Sequence, residues 1–259
     1  MTGTPRADGA AAAALAVRGL SWGVGGLVIV DNVDLEVASG EFISVIGPNG
    51  AGKTSLINLI SGVYRPTQGR VELLGNDVTG LRSADRSRRG LGRTFQASSL
   101  FPALSVAENV RLSAQSSLGG SRSLFTRPRR DDEAASRVDT ALDEVGLTAR
   151  RDDRAADLSH GDKRKLELAV VLAAQPAVLL LDEPTAGVSL EETGPLVELI
   201  RAVHASGKTV VMVEHRMEFV VDVSDRVAVM HEGKLLTVGT PEQVMADETV
   251  RSAYLGGRV

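Results

Sequence analysis

Apolar positions in the first third of the chain come in short runs broken by turn residues. Residues 16–20, 28–37 and 42–46 read as strands, with Gly25-Gly26 and Ser39-Gly40 marking the turns. The third run passes through a Gly-rich turn into 53–60, where apolar residues fall at helical spacing, and 71–74 begins another strand. The middle of the chain differs. Residues 106–112 and 134–145 have helical periodicity, whereas 113–132 is rich in Ser, Gly and Arg and reads as a mobile insertion. Beyond residue 160 the pattern alternates: a helix over 163–174 that stops before Pro176, a wholly apolar strand over 178–181, a helix over 191–205, and strands over 209–213 and 227–230. Strands apolar at successive positions, alternating with helices, predict a parallel sheet covered on both faces. No internal repeat is visible. Residues 1–14 read as a loose tail without the long apolar region of a signal peptide.

Composition narrows the field. The chain has 259 residues, 29 Lys+Arg against 33 Asp+Glu, 43% hydrophobic and 24% charged residues. That is ordinary globular usage, with enough chain to bury a sizeable core. No apolar run approaches the ~18 residues of a membrane-spanning helix, so a soluble, cytoplasmic protein is expected. Cysteine is absent, which excludes disulfides, thiolate metal sites and a Cys nucleophile. The four histidines (His160, His204, His215 and His231) show no metal-type spacing. A formal charge of −4 and 3% aromatics argue against nucleic acid as a partner.

The chemistry-bearing element is Gly47-Pro48-Asn49-Gly50-Ala51-Gly52-Lys53-Thr54, placed after an apolar strand and opening a helix. Glycines let successive N–H groups point inward, and the helix N-terminus adds the positive end of its dipole. The phosphate cradle runs from Gly47 through Asn49, Gly50, Ala51 and Gly52 to Lys53, Thr54 and Ser55. Lys53 brings a point charge to the β- and γ-phosphates, and the Thr54 hydroxyl suits Mg²⁺. A Gly-rich turn before a lysine arises by chance in roughly one chain in a hundred of this length, and the strand-turn-helix context lowers that further. The run 178–181 ends in Asp182-Glu183, two carboxylates where α/β sheets place ligands. Such a strand end is commonly a solvated one, but beside a phosphate loop it gains a role: Asp182 to hold Mg²⁺ and Glu183, on the opposite side, to polarise a water.

Three further segments stand with these two: Leu158-Ser159-His160-Gly161-Asp162 some twenty residues before Asp182, Gln96 after Arg93-Thr94-Phe95, and His215 after the strand ending at Glu214. In order and spacing the set resembles the nucleotide-binding subunit of ABC transporters over residues 15–257. The finer resemblance is to the ATPases of branched-chain amino-acid, urea and amide importers. It rests on Gly25-Gly26-Leu27 before Asp31-Asn32-Val33, the insertion after Asn109-Val110, the run 214–220, and the ending from Gly239-Thr240-Pro241-Glu242 to Ala253-Tyr254-Leu255-Gly256. The resemblance implies an α/β fold: a P-loop NTPase (RecA-like) core with a parallel sheet over 15–99 and 163–239, carrying an N-terminal antiparallel β subdomain. An inserted α-helical subdomain would occupy 100–162 and a C-terminal helical tail 240–259.

It also implies ATP and Mg²⁺ as cofactors. Two ATP molecules would be clamped between two subunits, a homo- or heterodimer arranged head to tail, with Ser159 and Gly161 holding the γ-phosphate bound by the other subunit. Gln96 would sense Mg²⁺ or the attacking water, residues 97–102 would contact the transmembrane permease, and His215 would bridge the γ-phosphate and the catalytic Glu183. An extracytoplasmic solute-binding protein would belong to the same system, and the subunit would sit on the inner face of the cell membrane. The signature departs from the family's pattern at His160 and Asp162. Asp162 is placed to reciprocate as a capping-box acid and puts negative charge near a phosphate. The position of the adenine-stacking aromatic aligns with Val24, with Trp22 as the alternative, and Ser189 replaces the usual Asp or Asn.

Arg82, Arg86, Arg88, Arg89 and Arg93, with Arg122, Arg127, Arg129 and Arg130, read as a solvated face with a flexible insertion, or as a contact for anionic lipid headgroups or acidic permease loops. Exporter ATPases of lipid or polysaccharide share the motif set. A soluble ABC ATPase acting on ribosomes or DNA would normally carry two fused cassettes or coiled-coil insertions, which this chain lacks.

Overall fold

The computed structural model describes residues 13–94, 100–119 and 128–255. Strands β1 (Ala13–Val24) and β2 (Leu27–Ala38) form a long antiparallel hairpin. Its two turn residues, Gly25 and Gly26, have φ of 59° and 86°, the left-handed values that a tight hairpin turn demands. Strands β4 (Gln68–Leu73) and β5 (Asn76–Asp77) complete a four-stranded antiparallel sheet in the order β2-β1-β4-β5.

The second sheet has the order β10-β9-β3-β8-β7-β6. It comprises β3 (Phe42–Ile46), β6 (Leu91–Arg93), β7 (Val178–Asp182), β8 (Thr209–Val213), β9 (Arg226–His231) and β10 (Lys234–Gly239). All its pairings are parallel except β9 with β10. Its central strands are apolar on both faces. Leu179 and Leu181 of β7, Val210 and Met212 of β8, and Val227 and Val229 of β9 join one core cluster. The intervening Val178, Leu180, Val211, Val213, Ala228 and Met230 join the other. That second cluster is closed by the antiparallel sheet and by α1 (Lys53–Ile60), whose Leu56, Ile57, Leu59 and Ile60 are buried. Polar ties pin the strand starts: Gly40 N donates to Thr209 Oγ1 at 2.9 Å, Phe42 N to Asp225 Oδ2 at 2.7 Å, and the Ser44 and Ser224 hydroxyls meet at 2.6 Å.

The first cluster is closed by helices. The short α2 (Ser83–Ser87) precedes β6, and between β6 and β7 the chain forms α3 (Val106–Ser117), α4 (Pro128–Glu144) and α5 (His160–Leu172). A capping box starts α3: Glu108 N donates to Ser105 Oγ, and Ser105 N to Glu108 Oε2 at 2.7 Å. Val106, Val110 and Ala114 of α3 pack with Val138, Ala141, Leu142 and Val145. The helices α6 (Leu190–Ala205), α7 (Met217–Val223), α8 (Pro241–Ala246) and α9 (Glu248–Leu255) follow. The expected insertion at 113–132 is therefore too wide, because α3 continues through Ser117 and α4 begins at Pro128. The Ser-rich end of α3 carries little hydrophobic signal; there Ser117 Oγ bonds back to Ala114 O at 2.8 Å and accepts from Arg137. Helix α5 likewise starts three residues before the expected Lys163.

The arginine-rich face divides. Arg82, Arg88 and Arg89 are exposed, Arg129 and Arg130 fall in the first turn of α4, and Arg122 and Arg127 lie outside the described residues. Arg86 is wholly buried, so a solvated face is the wrong reading for it. Its guanidinium donates to Leu59 O at 2.7 Å, Ile60 O at 2.6 Å and Thr79 O at 3.0 Å, with Nε on Leu81 O at 3.2 Å. A cation on the last carbonyls of α1 satisfies acceptors the helix cannot, and complements the negative end of its dipole. Arg86→Ala should lower the unfolding free energy by about 3 kcal/mol, since the carbonyls of Leu59, Ile60, Thr79 and Leu81 each lose a charged donor, two of them in buried contacts. Urea unfolding checks this against Arg88→Ala, an exposed pair with Asp85 that should cost less than about 1 kcal/mol.

Candidate functional site

The loop between β3 and α1 is shaped by what its neighbours leave no room for. Gly47 has φ 152°, and a Cβ there would lie 2.1 Å from Met230 O of β9. Gly52 has φ 96°, and a Cβ there would lie 2.7 Å from Ile29 O of β2. The loop is thus wedged between β2 and β9, and Gly233 N bonds Ala51 O at 3.1 Å from the β9–β10 turn. Gly52 caps α1 with no side-chain hydrogen bond, and the first turn holds no acidic residue. Its N–H groups and positive dipole end are left to an external anion. Asn49 and Gly50 are exposed at the loop tip, and Thr54 and Ser55 are half-buried in the first turn. Lys53 is buried and folds back: Nζ donates to Gly47 O at 2.7 Å and Pro48 O at 2.9 Å. Burial lowers its pKa, while Glu183 and Asp182 nearby oppose that shift and favour the charged amine.

Asp182 ends β7 with its side chain inaccessible to solvent. Burial pushes its pKa up, Arg93 pulls it down, and neighbouring Glu183 pushes it up again. Oδ2 accepts from Arg93 Nη2 at 3.1 Å, whereas Oδ1 is buried with no hydrogen-bond partner among the described residues. An orphaned carboxylate oxygen of this kind suits a divalent cation. Among the described residues no cluster of three or more acidic or His side chains could hold a metal alone. A magnesium ion here would therefore draw on Asp182, the Thr54 hydroxyl, phosphate oxygens and water, the usual set for that ion.

Glu183, the next residue, is held differently. Its φ is 50°, rare and costly for a residue with a Cβ, and its N–H donates to Val213 O at 2.9 Å. The side chain meets His215 Nε2 at 2.7 Å through Oε1. A second tie lies beneath: Thr185 Oγ1 donates to the buried Glu214 Oε1 at 2.8 Å. The chain after β7 and the chain after β8 are thus bonded side chain to side chain at two successive places.

Ser159 and Gly161 occupy a separate neighbourhood at the start of α5. Ser159 Oγ accepts from Asp162 N at 3.1 Å, so the N-cap forms, but the expected reciprocal half of a capping box does not. The Asp162 carboxylate instead pairs with Arg150 at 3.0 Å and Lys165 at 3.4 Å, which draws its charge away from the helix end. Gly161 N donates to Glu192 Oε1 of α6 at 3.3 Å, an acceptor sequence reading did not find. Trp22 stacks on Tyr64, with ring centroids 4.4 Å apart and planes 13° from parallel. Val24 is 59% exposed, beside Leu27 and Val28, which are at least as exposed. Gln96 and residues 97–99 lie outside the described residues. Arg93, Glu192 and the Thr185–Glu214 pair were missed. Arg93 read as one more surface arginine, and nothing in its immediate sequence distinguishes it from Arg88 or Arg89.

A Gly-rich loop wedged under a helix N-terminus, a lysine at its first turn and two carboxylates at the end of the parallel strand β7, one strand beyond β8, define a P-loop nucleotide-binding domain. The comparisons specify it further. Residues 30–186 match the ABC transporter family model, and residues 234–259 match that of the branched-chain amino acid ATP-binding cassette transporter. The chain belongs to the ABC transporter family, as one of its ATP-hydrolysing cassettes. It is 40% identical to the high-affinity branched-chain amino acid transport ATP-binding protein LivG of Salmonella typhimurium, over 93% of this chain and 97% of the relative. It is 38% identical to BraF of Pseudomonas aeruginosa over the same shares, and 36% identical to the lipopolysaccharide export ATP-binding protein LptB of Acidithiobacillus ferridurans over 88% and 91%. A nucleotide-free ATP-binding cassette from an ABC transporter superposes with a TM-score of 0.83 at 26% identity, covering 95% of this chain and 100% of that one.

The loop geometry makes a graded prediction. Gly50→Ala, with open space around its Cβ but φ of 82°, should cost about 1–3 kcal/mol in thermal unfolding without nucleotide. Gly47→Ala adds a backbone collision to the same strain and should cost more, with loss of ATP binding.

Proposed function

We propose that this chain energises uptake of branched-chain amino acids or related small polar solutes through a separate membrane permease. The observation that carries the catalytic part is the 2.7 Å contact between Glu183 and His215 beside the unpartnered Asp182 Oδ1. The match of residues 234–259 supports the importer class over the exporter class.

In this reading the N–H groups of Gly50, Gly52, Lys53, Thr54 and Ser55 receive the ATP phosphates, with Asn49 and Ala51 completing the loop. Lys53 exchanges the Gly47 and Pro48 carbonyls for phosphate oxygens. Thr54 and Asp182 would hold a magnesium ion, which would supply neutralising charge to the phosphates. Glu183 accepts the proton of the attacking water, and His215 steadies the Glu183 carboxylate while facing the γ-phosphate. Gln96, which senses Mg²⁺ or the attacking water, directly precedes the permease-facing segment 97–102, whose described part includes the 56% exposed Phe101. Two such cassettes act together, Ser159 and Gly161 of each meeting the γ-phosphate held by the other. Gly161 N then trades Glu192 for phosphate. No helix among the described residues is long and apolar enough to cross a membrane. In this reading the path for solute lies in the permease, fed by an extracytoplasmic solute-binding protein. The cassette itself works at the inner membrane face.

Adenine contact falls to Val24 rather than Trp22. One face of Trp22 is taken by Tyr64, whereas Val24 is exposed and pairs with Leu27, two residues from the Ile29 carbonyl that abuts Gly52. An aliphatic contact is weaker than a stacked ring, so Val24→Tyr should tighten binding of a fluorescent ATP analogue by about 1 kcal/mol, roughly fivefold. Glu183→Gln should keep nucleotide binding while reducing hydrolysis at least a hundredfold, in the range of a lost general base. Phosphate release and size-exclusion chromatography with ATP measure both sides of that split; normal turnover in this variant would overturn the assignment.

A further inference from the structure

Arg93 closes the edge strand β6, where it pairs in register with Leu180, two residues before Asp182. Its side chain is 9% exposed, and its guanidinium spans two elements. Nη1 donates to Asn58 Oδ1 at 2.7 Å and to Ser61 Oγ at 2.6 Å, at the C-terminal end of α1. Nη2 donates to Asp182 Oδ2 at 3.1 Å. Asn58 lies four residues after Thr54 on α1, so the two share a helix face.

We propose that Arg93 is the positioning residue of the magnesium site: by holding Asp182 through Oδ2 and α1 through Asn58 and Ser61, it fixes Oδ1 of Asp182 and the Thr54 hydroxyl at the separation the ion requires. The inference rests on the reading of residues 47–55 with Asp182 as a Mg²⁺–nucleotide site. A carboxylate free to rotate offers either oxygen in many directions. One whose Oδ2 is committed to a buried donor offers only Oδ1, and that is the oxygen without a partner. The tie to α1 matters equally, because the hydroxyl ligand rides on the helix and the carboxylate ligand on the strand. Only a planar fork can donate to both at once; a lysine ammonium on a flexible stem cannot reproduce it.

The test is nucleotide binding by the full chain, followed with a fluorescent ATP analogue, in EDTA and across a Mg²⁺ titration. In the wild type, Mg²⁺ should tighten binding. In Arg93→Met, affinity in EDTA should be unchanged while the Mg²⁺ midpoint rises about 10- to 100-fold, the size of effect seen when residues orienting metal ligands are lost. Arg93→Lys should recover little of that shift. Should Arg93→Met fail to fold, the double variant Asn58→Ala/Ser61→Ala keeps the ion pair and removes the helix anchor, and should move the midpoint in the same direction. A lowered melting temperature with an unmoved Mg²⁺ midpoint in these variants would make Arg93 a purely structural residue and overturn the inference. A wild type whose binding ignores Mg²⁺ would instead overturn the site reading itself.

Discussion

The turn from Ile46 to Lys53 has to point several backbone N–H groups at one place, and it does so with almost no side chain of its own. Its shape comes from outside. Met230 O on one flank and Ile29 O on the other stand where Cβ atoms of Gly47 and Gly52 would be. The phosphate loop is therefore a joint product of β3, the preceding β2 and the sequence-distant β9. Because β3 lies between β9 and β8 in the sheet, the same arrangement brings the ends of β7 and β8 alongside the loop, and with them Asp182, Glu183 and His215.

Two adjacent carboxylates illustrate how little sequence distance matters to electrostatics. Asp182 is buried, tied to an arginine through one oxygen and left without a donor on the other. Glu183, one residue on, adopts a left-handed backbone that turns its side chain away to a half-exposed histidine. The strand's alternation separates them, and the unusual φ completes the separation. The two carboxylates can thus sit side by side without competing for one partner, as the proposed roles of metal ligand and proton acceptor require.

Much of this was legible in the sequence. The apolar runs at 42–46, 178–181 and 209–213 foretold the inner strands because a two-faced parallel sheet needs β-branched and aliphatic residues at every position. The phosphate loop was legible because its glycines have no other use at that density. Strand β6 was not, since Leu91-Gly92-Arg93 is too short to show a period. Gly92 is there because a Cβ would strike Val171. Arg86 and Arg93 were misread for a related reason: the end of α1 and Asp182, which help to admit the two guanidinium groups to the interior, are far from them in the chain. Glu192 and the Thr185–Glu214 pair depend in the same way on how α5, α6 and two loops meet, which periodicity does not encode.

A sheet that is apolar on both faces has a consequence for its own alignment. When one face is wet, a slip of one residue along a strand exposes the core and is penalised at every position; here a slipped strand would still bury aliphatic side chains. Alignment must then come from polar groups, and these stand at the starts of the strands, where Thr209, Ser224 and Asp225 meet the residues around Phe42. The opposite ends, where the strands deliver Asp182 and His215, carry ties of their own in the Glu183–His215 and Thr185–Glu214 pairs. One rim of the sheet keeps the strands in step with groups that do nothing else, whereas at the other the groups that align the strands include the reactive ones.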